Sequence, residues 1–243
     1  MKTAQAGTVV ISGATSGIGL ATVEALVDRN YRVVGLGRRA DALRALAARL
    51  GSQFTPVEVE LADSCSVQRC VETLASLCTE VKAVISNAAE CVYQSVLELS
   101  SERLERLMAT NVLAPIALAR ALIPRLCEGG VFIQLSSVTG RFLPGAKFTA
   151  YAATKAAMDV VVEGLRLELA PRRIRVCTVT PGLVDTPIYD KVDGFDAARR
   201  KITEQIPEWL HPWEVANAIL FILEQPAHVA IPDLVITPTQ QAR

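Results

Sequence analysis

A short run of β-branched and small residues, Thr8–Ser12, leads into Gly13-Ala14-Thr15-Ser16-Gly17-Ile18-Gly19 and from there into a helical stretch. Three glycines alone say little. Between a first strand and a first helix they let the backbone turn sharply and come close to a bulky anion. The helix N-terminus adds free N–H groups and the positive end of its dipole. A pyrophosphate suits such a cradle, and the context points to one half of a nucleotide-binding α/β unit. A tight structural turn is the plainer alternative, and the rest of the chain has to decide between them.

The strand–helix rhythm continues to the end. Strands are expected at Tyr31–Leu36, Phe54–Glu60, Val81–Ser86, Val131–Ser136, Ile174–Thr180 and near Leu234–Thr237. Helices are expected at Ile18–Arg29, Asp41–Leu50, Ser64–Cys78, Ser101–Leu126, Tyr151–Ala170 and Pro212–Glu224. Val81–Ile85 and Val131–Leu135 are continuous apolar runs, as strands covered by helices on both faces require. The expectation is an α/β fold: one Rossmann-type, doubly wound parallel sheet with helices on both faces, residues 1–243 forming a single domain. The longest irregular stretch, about 183–211, follows a sheet strand and carries Asp185, Pro187, Gly194 and Pro207. It reads as a substrate lid, with helical pieces around Ala197–Gln205.

Composition narrows the function classes. Of 243 residues, 51% are hydrophobic and 21% charged, with 25 basic against 25 acidic, so the chain is globular and offers no net charge for nucleic acid or an anionic membrane. No run of about 18 uninterrupted apolar residues marks a membrane span. The six cysteines, Cys65, Cys70, Cys78, Cys91, Cys127 and Cys177, show no metal-ligand spacing, so no metal is expected, and they read as reduced thiols of a cytoplasmic protein.

Tyr151 and Lys155 stand four apart at the start of a helix, so both heads reach one site. A phenol near pKa 10 is a poor acid or base at neutral pH, and an adjacent ammonium is expected to lower it. Ser136-Ser137 closes the preceding strand, at the carboxyl end where ligands bind in open α/β sheets, and a hydroxyl there can hold a carbonyl oxygen. Asn111 lies in the long helix four residues before Pro115. Proline has no N–H, so the Asn111 carbonyl loses its helical partner and the helix should kink.

With the glycine spacing G-x-x-x-G-x-G, these residues resemble the short-chain dehydrogenase/reductase family over essentially the whole chain. Ser86-Asn87-Ala88-Ala89 is similar to the family's N-N-A-G stretch, departing from it at Ser86 and Ala89. Pro181-Gly182-Leu183-Val184-Asp185-Thr186 is similar to its P-G-x-x-x-T segment. The resemblance implies an NADP(H)- or NAD(H)-dependent oxidoreductase that interconverts a carbonyl and an alcohol by hydride transfer. It implies Asn111, Ser137, Tyr151 and Lys155 as catalytic residues, with Asn111 anchoring a relay water. Matching Ser137-Val138-x-Gly140 to the family pattern favours Ser137, while a separation from Tyr151 one residue longer than usual keeps Ser136 as the rival. The cofactor is implied at Gly13, Thr15, Ser16, Gly17, Ile18 and Gly19, at Leu61, at Asn87, Ala88 and Ala89, at Tyr151 and Lys155, and at Pro181, Gly182, Val184 and Thr186. Glu60-Leu61-x-Asp63 is similar to the adenine-flanking segment, with Glu60 where aspartate is commoner.

The second strand ends Gly35-Leu36-Gly37-Arg38-Arg39. NAD sites carry an acidic residue here for the ribose, whereas arginine suits a 2′-phosphate. Arg38 and Arg39 therefore point to NADP(H). The substrate is expected to be a small molecule. The C-terminal run from Pro226 to Thr239 resembles a branch acting on small 3-hydroxy acids and serine-like alcohols, and a larger secondary-metabolite ketone is the other possibility. Cys91, Val92, Val138, Phe142 to Phe148 and Tyr189 are pocket candidates, Arg141 and Lys147 the candidate carboxylate binders, and Trp209 and Trp213 are expected to pack. The apolar surface of Tyr151–Ala170 suggests burial on more than one side, and with Ser101–Leu126 the family resemblance implies a homodimer or homotetramer. A non-catalytic NADP(H)-binding sensor or scaffold is the alternative; it has no need of Asn111, Ser137, Tyr151 and Lys155 together.

Overall fold

The computed structural model describes residues 7–241. Seven parallel strands, β1 Thr8–Ser12, β2 Arg32–Gly37, β3 Phe54–Glu58, β4 Val81–Ser86, β5 Leu126–Leu135, β6 Arg175–Pro181 and β7 Asp233–Ile236, form one sheet in the order β3-β2-β1-β4-β5-β6-β7. The order reverses between β1 and β4, the crevice where doubly wound sheets bind ligands.

Continuous apolar runs make sense once the pleat is followed. Val9 and Ile11, Ala83 and Ile85, and Ile133 and Leu135 point into one core, while Val10, Val84 and Phe132 point into the other. The first core is closed by α1 Gly17–Val27, α2 Ala40–Leu50 and α8 Pro212–Leu223. The second is closed by α3 Ser64–Leu77, α5 Ala114–Leu122 and α6 Thr149–Leu169. The central strands β1, β4, β5 and β6 thus bury both of their faces, whereas the edge strands β3 and β7 keep exposed positions. Arg175, on the α8 side of β6, is a buried cation whose guanidinium donates to the carbonyls of Gly129, Ile222 and Leu223 at 3.2, 2.8 and 3.1 Å. It satisfies orphan carbonyls at the end of α8.

The helix expected over Ser101–Leu126 is not a single α-helix. It runs as α4 Ser101–Met108, a π-helical turn Ala109–Leu113, α5, and a 3-10 turn Ile123–Arg125. Pro115 cannot donate to Asn111, and the chain absorbs the missing bond as a wide turn that closes on the Ala109 carbonyl. By length and composition Ser101–Arg125 could cross a membrane, yet 56% of its apolar window is buried inside the fold, where it packs on α3 and the sheet. The fifth strand begins at Leu126, five residues before the expected Val131, because Pro124 stops the helix and the strand enters through a register shift opposite Val81 and Ala83.

The segment after β6 is pinned at both ends. Val184 and Leu210 form a parallel bridge, with Asp185 N–H donating to the Leu210 carbonyl at 2.8 Å and Leu210 N–H to the Leu183 carbonyl at 3.0 Å. Between these ends the chain makes a short turn at Tyr189–Lys191 and α7, Asp196–Gln205.

Candidate active site

The reversal of strand order is stitched by two side chains. Ser12 Oγ, at the end of β1, accepts from the N–H groups of Asn87 and Ala88, both at 3.0 Å, and Asn87 Nδ2 donates back to the Ser12 carbonyl at 2.9 Å. Gly13 then leaves β1 with φ +72°, and an added Cβ would lie 2.7 Å from Asn87 Nδ2. Gly17 has φ +52° and meets the Thr186 side chain, so the Pro181–Thr186 segment folds against the glycine loop. Ser16 stands at the N-cap of α1 without its side chain capping the helix, and the first-turn residues Gly17 and Ile18 line the cleft.

That cleft has a volume of about 1020 Å³. Its walls include Gly13, Thr15, Ser16, Gly17, Ile18, Arg38, Arg39, Leu61, Asn87, Ala88, Ala89, Ser137, Tyr151, Lys155, Pro181, Gly182, Val184 and Thr186. Two expected site residues stand behind the wall instead. Gly19 lies under the loop, where it lets α1 pass close to Gly13 and Asn87. The Asn111 side chain is buried and clamps one backbone position: Oδ1 accepts from Glu90 N–H at 2.8 Å, and Nδ2 donates to the Glu90 carbonyl at 2.8 Å and to Thr154 Oγ1 at 3.0 Å.

Tyr151, Ser137 and Lys155 come together at the carboxyl end of β5. Ser137 Oγ accepts from Thr139 N–H at 3.2 Å and lies beside the Tyr151 phenol. Ser136 also lines the cleft, but it is almost fully buried and faces Asp159 rather than the phenol, which favours Ser137 of the two. The turn Val138–Gly140 presses on α6 so closely that a Cβ on Gly140 would sit 2.9 Å from the Lys155 Cβ, a packing reason for glycine there. Lys155 Nζ donates to the Leu135 carbonyl at 2.9 Å and lies 5.7 Å from the centre of the Tyr151 ring.

The electrostatics correct one expectation. Burial, with Cys91 and Tyr189 adding to it, holds the Tyr151 phenol well above its ordinary value against the opposing Ser137 hydroxyl. The phenol stands high even with the Lys155 ammonium near its ring. That ammonium is itself desolvated and pushed down to about 8, against the pull of Asp159 and Cys91.

Beyond the phenol, Cys91, Val92, Pro187, Ile188 and Tyr189 wall the cleft. Tyr189 stacks on Phe195 at 4.9 Å, and Phe195 packs on Tyr93 and Phe148, so the 183–211 segment is anchored to the site by aromatic contacts. Val138 and Phe142 to Phe148 stand outside the walls: Phe142 is exposed and Phe148 packs in the aromatic cluster. Neither candidate carboxylate binder lines the cleft. Arg141 forms a two-pronged pair with Asp233 at 2.8 and 2.6 Å, and Lys147 rests over the Tyr93 ring. Trp209 packs against Tyr189 and Arg199, as expected, whereas Trp213 is exposed and stacks on His211, because its position on α8 faces away from the sheet.

Residues 7–195 match the family model described as short chain dehydrogenase. The chain belongs to the short-chain dehydrogenase family. A probable NADP-dependent dehydrogenase of Haemophilus influenzae is 30% identical over 240 residues, spanning 97% of this chain and 94% of that protein. A serine 3-dehydrogenase of Agrobacterium fabrum is 27% identical over 241 residues, 97% of this chain and 95% of the relative. Among solved structures, the closed form of serine dehydrogenase complexed with NADP+ superposes with a TM-score of 0.88 at 26% identity, covering 97% of this chain and 96% of that one. This short-chain dehydrogenase is an oxidoreductase with the Rossmann-type sheet of its relatives.

Sequence reasoning missed Glu90, Arg106 and Arg103 in the walls. The acidic residue directly after Asn87-Ala88-Ala89 was a usable signal for the first; the two arginines sit in an amphipathic helix where charge is ordinary.

Proposed function

We propose that the protein reduces a ketone or aldehyde, or oxidises the corresponding alcohol, with NADP(H), and that Tyr151 is the proton donor and acceptor. The observation that carries this reading is the convergence of Tyr151, Ser137 and Lys155 at the floor of a cleft whose other end is the glycine loop with Arg38 and Arg39. The cradle fits a dinucleotide: Gly13 and Gly17 take positive φ and let the loop lie against Asn87 and Thr186, and the first turn of α1, which no side chain caps, lines the cleft. When bound, NADPH supplies the hydride for the carbonyl carbon. Ser137 holds the carbonyl oxygen, and Tyr151 protonates it. Lys155 orients the ribose and stabilises the phenolate left behind, and the Asn111 turn anchors a water that returns the proton. Arg38 and Arg39 hold the 2′-phosphate; Arg39 is already tied to the glycine loop through the Thr15 carbonyl at 2.6 Å.

The substrate belongs to the small 3-hydroxy acids and serine-like alcohols or to neutral ketones. The serine 3-dehydrogenase relatives support the first, and the apolar walls at Val92, Ile188 and Tyr189 support the second. Residues 183–211 act as the lid over it. Val160 and Leu167 on α6 and Leu113 beside α5 are exposed, which supports a homodimer or homotetramer built on those helices. A cytoplasmic location is in keeping with six free thiols.

The test is a titration with NADPH and NADH followed by nicotinamide fluorescence, then a panel of neutral ketones and 3-oxo acids. Binding of neither cofactor would sink the reading. Arg38→Ala is expected to weaken NADPH by roughly tenfold or more while leaving NADH within about twofold, because a charge-assisted bond to phosphate is lost. Equal loss for both cofactors would remove Arg38 from phosphate recognition.

The two shifted groups also fix a pH dependence. The phenol, held high, stays protonated through neutral pH, whereas Lys155 gives up its charge as pH rises through about 8. Reductive kcat/KM should therefore be level below that point and fall above it. A pH–rate profile level to pH 10 would take Lys155 out of the proton step.

A further inference from the structure

Four charged side chains, three from the loops after β2, β3 and β4 and one from α4, meet at the end of the cleft that holds Arg38. Arg106, on α4, donates to Glu90 Oε1 from Nη2 at 2.7 Å and from Nε at 3.1 Å. Arg38 Nη1 donates to the same oxygen at 3.1 Å. Glu60 completes the ring, 3.4 Å from Arg106 and 3.9 Å from Arg38. All four line the cleft, and Glu90 is the most buried of them.

Two features make Glu90 more than a surface ion. Its N–H and its carbonyl are both fixed by the Asn111 carboxamide, so only its side-chain torsions remain free. The carboxylate is thereby held on a short tether beside Arg38, which gives it a high effective concentration there. It also has a second cation, Arg106, whose contact is the shorter of the two, so letting go of Arg38 does not strand it.

We propose that Glu90 is an internal anion that competes with the cofactor 2′-phosphate for Arg38, and so sets how strongly the enzyme holds and selects the phosphorylated cofactor. This rests on the NADP(H) reading above. A phosphate arriving at Arg38 must displace the carboxylate onto Arg106 or share the guanidinium with it, and either course opposes binding through like-charge repulsion. A cofactor lacking the 2′-phosphate meets no such opposition. Glu90 thus loosens one cofactor class selectively, from a position whose backbone is gripped by Asn111.

The experiment is calorimetric titration of the full-length protein with 2′,5′-ADP and with 5′-AMP, for the wild type and Glu90→Gln. In the variant 2′,5′-ADP should bind roughly three- to tenfold more tightly, the scale of a partly exposed charge interaction, with 5′-AMP within about twofold. Weaker or unchanged 2′,5′-ADP binding, or an equal change for both nucleotides, overturns the proposal. Glu90→Asp, which keeps the charge but draws it back by one methylene, should move 2′,5′-ADP in the same direction by less and serves if the glutamine variant does not fold. A wild type that fails to prefer 2′,5′-ADP over 5′-AMP would overturn the NADP(H) reading itself, a result distinct from failure of the Glu90 variants alone.

Discussion

Tyr151→Phe is expected to lower turnover by roughly 10²- to 10⁴-fold, the span of general acid–base catalysis, while NADPH still binds within about threefold of wild type. The ring is almost wholly buried against Cys91, Phe148 and Phe195, and phenylalanine keeps those contacts. What goes is one oxygen, and with it the proton that the carbonyl oxygen needs. The Ser137 hydroxyl beside that oxygen loses a neighbour but keeps its bond from Thr139 N–H. Because the phenol is held high by burial, it is a proton reservoir at neutral pH rather than a standing base, which suits reduction better than oxidation. The loss in the reductive direction should therefore be of similar size at every pH tested, with no rescue on acidification. Single-turnover absorbance of bound NADPH separates chemistry from binding. A variant keeping a tenth of wild-type turnover would mean that another donor, Ser137 or water, delivers the proton.

How much of the site is legible in the sequence depends on how far apart the cooperating residues lie in the chain. The glycine loop, Tyr151 with Lys155, and the serine at the end of β5 each occupy a few consecutive positions, and helix or strand period alone aims them at one another. The seven strands were legible for the same local reason, with the early start of β5 lost because Leu126–Gly130 lacks a β-branched run. The π-helical turn was half legible: Pro115 announced a broken bond, but not that the chain would widen rather than kink. Properties made by assembly were not legible at all. The direction of the Tyr151 shift comes from burial by α6, the Cys91 segment and the stretch around Tyr189 and Phe195 together, which no spacing records. Arg141 and Lys147 looked free to meet a carboxylate until Asp233 and Tyr93 arrived beside them from distant segments. The Arg38–Glu90–Arg106–Glu60 ring draws on residues 68 positions apart at its extremes, counted from Arg38 to Arg106, and each of them alone reads as an ordinary surface charge.

Gly19→Ala should be nearly as damaging as loss of the phenol, by a different route. Gly19 is buried in the first turn of α1 and has no positive φ, so alanine brings no backbone strain. The cost is steric. An added Cβ would press into the Gly13 carbonyl oxygen and stand 2.6 Å from Asn87 Nδ2. Neither neighbour is a flexible tip: the first is backbone, and the second is fixed by its bond to the Ser12 carbonyl. Relief requires α1 to lift away from the β1–β4 crevice, carrying Gly17 and Ile18 with it and opening the cradle. Overpacking of this kind costs on the order of 1–3 kcal/mol of stability. The same displacement should weaken NADPH by about 10²-fold, because the first-turn N–H groups no longer converge on one anion. Gly145→Ala is the matched comparison: nothing lies within 4 Å of its added Cβ and its backbone is extended, so affinity and melting temperature should stay at wild-type values. Fluorescence titration and a thermal melt on the two variants decide the matter. Wild-type NADPH affinity in Gly19→Ala would show that the loop can yield without the cofactor noticing, and that the close approach of α1 to Gly13 serves packing rather than binding.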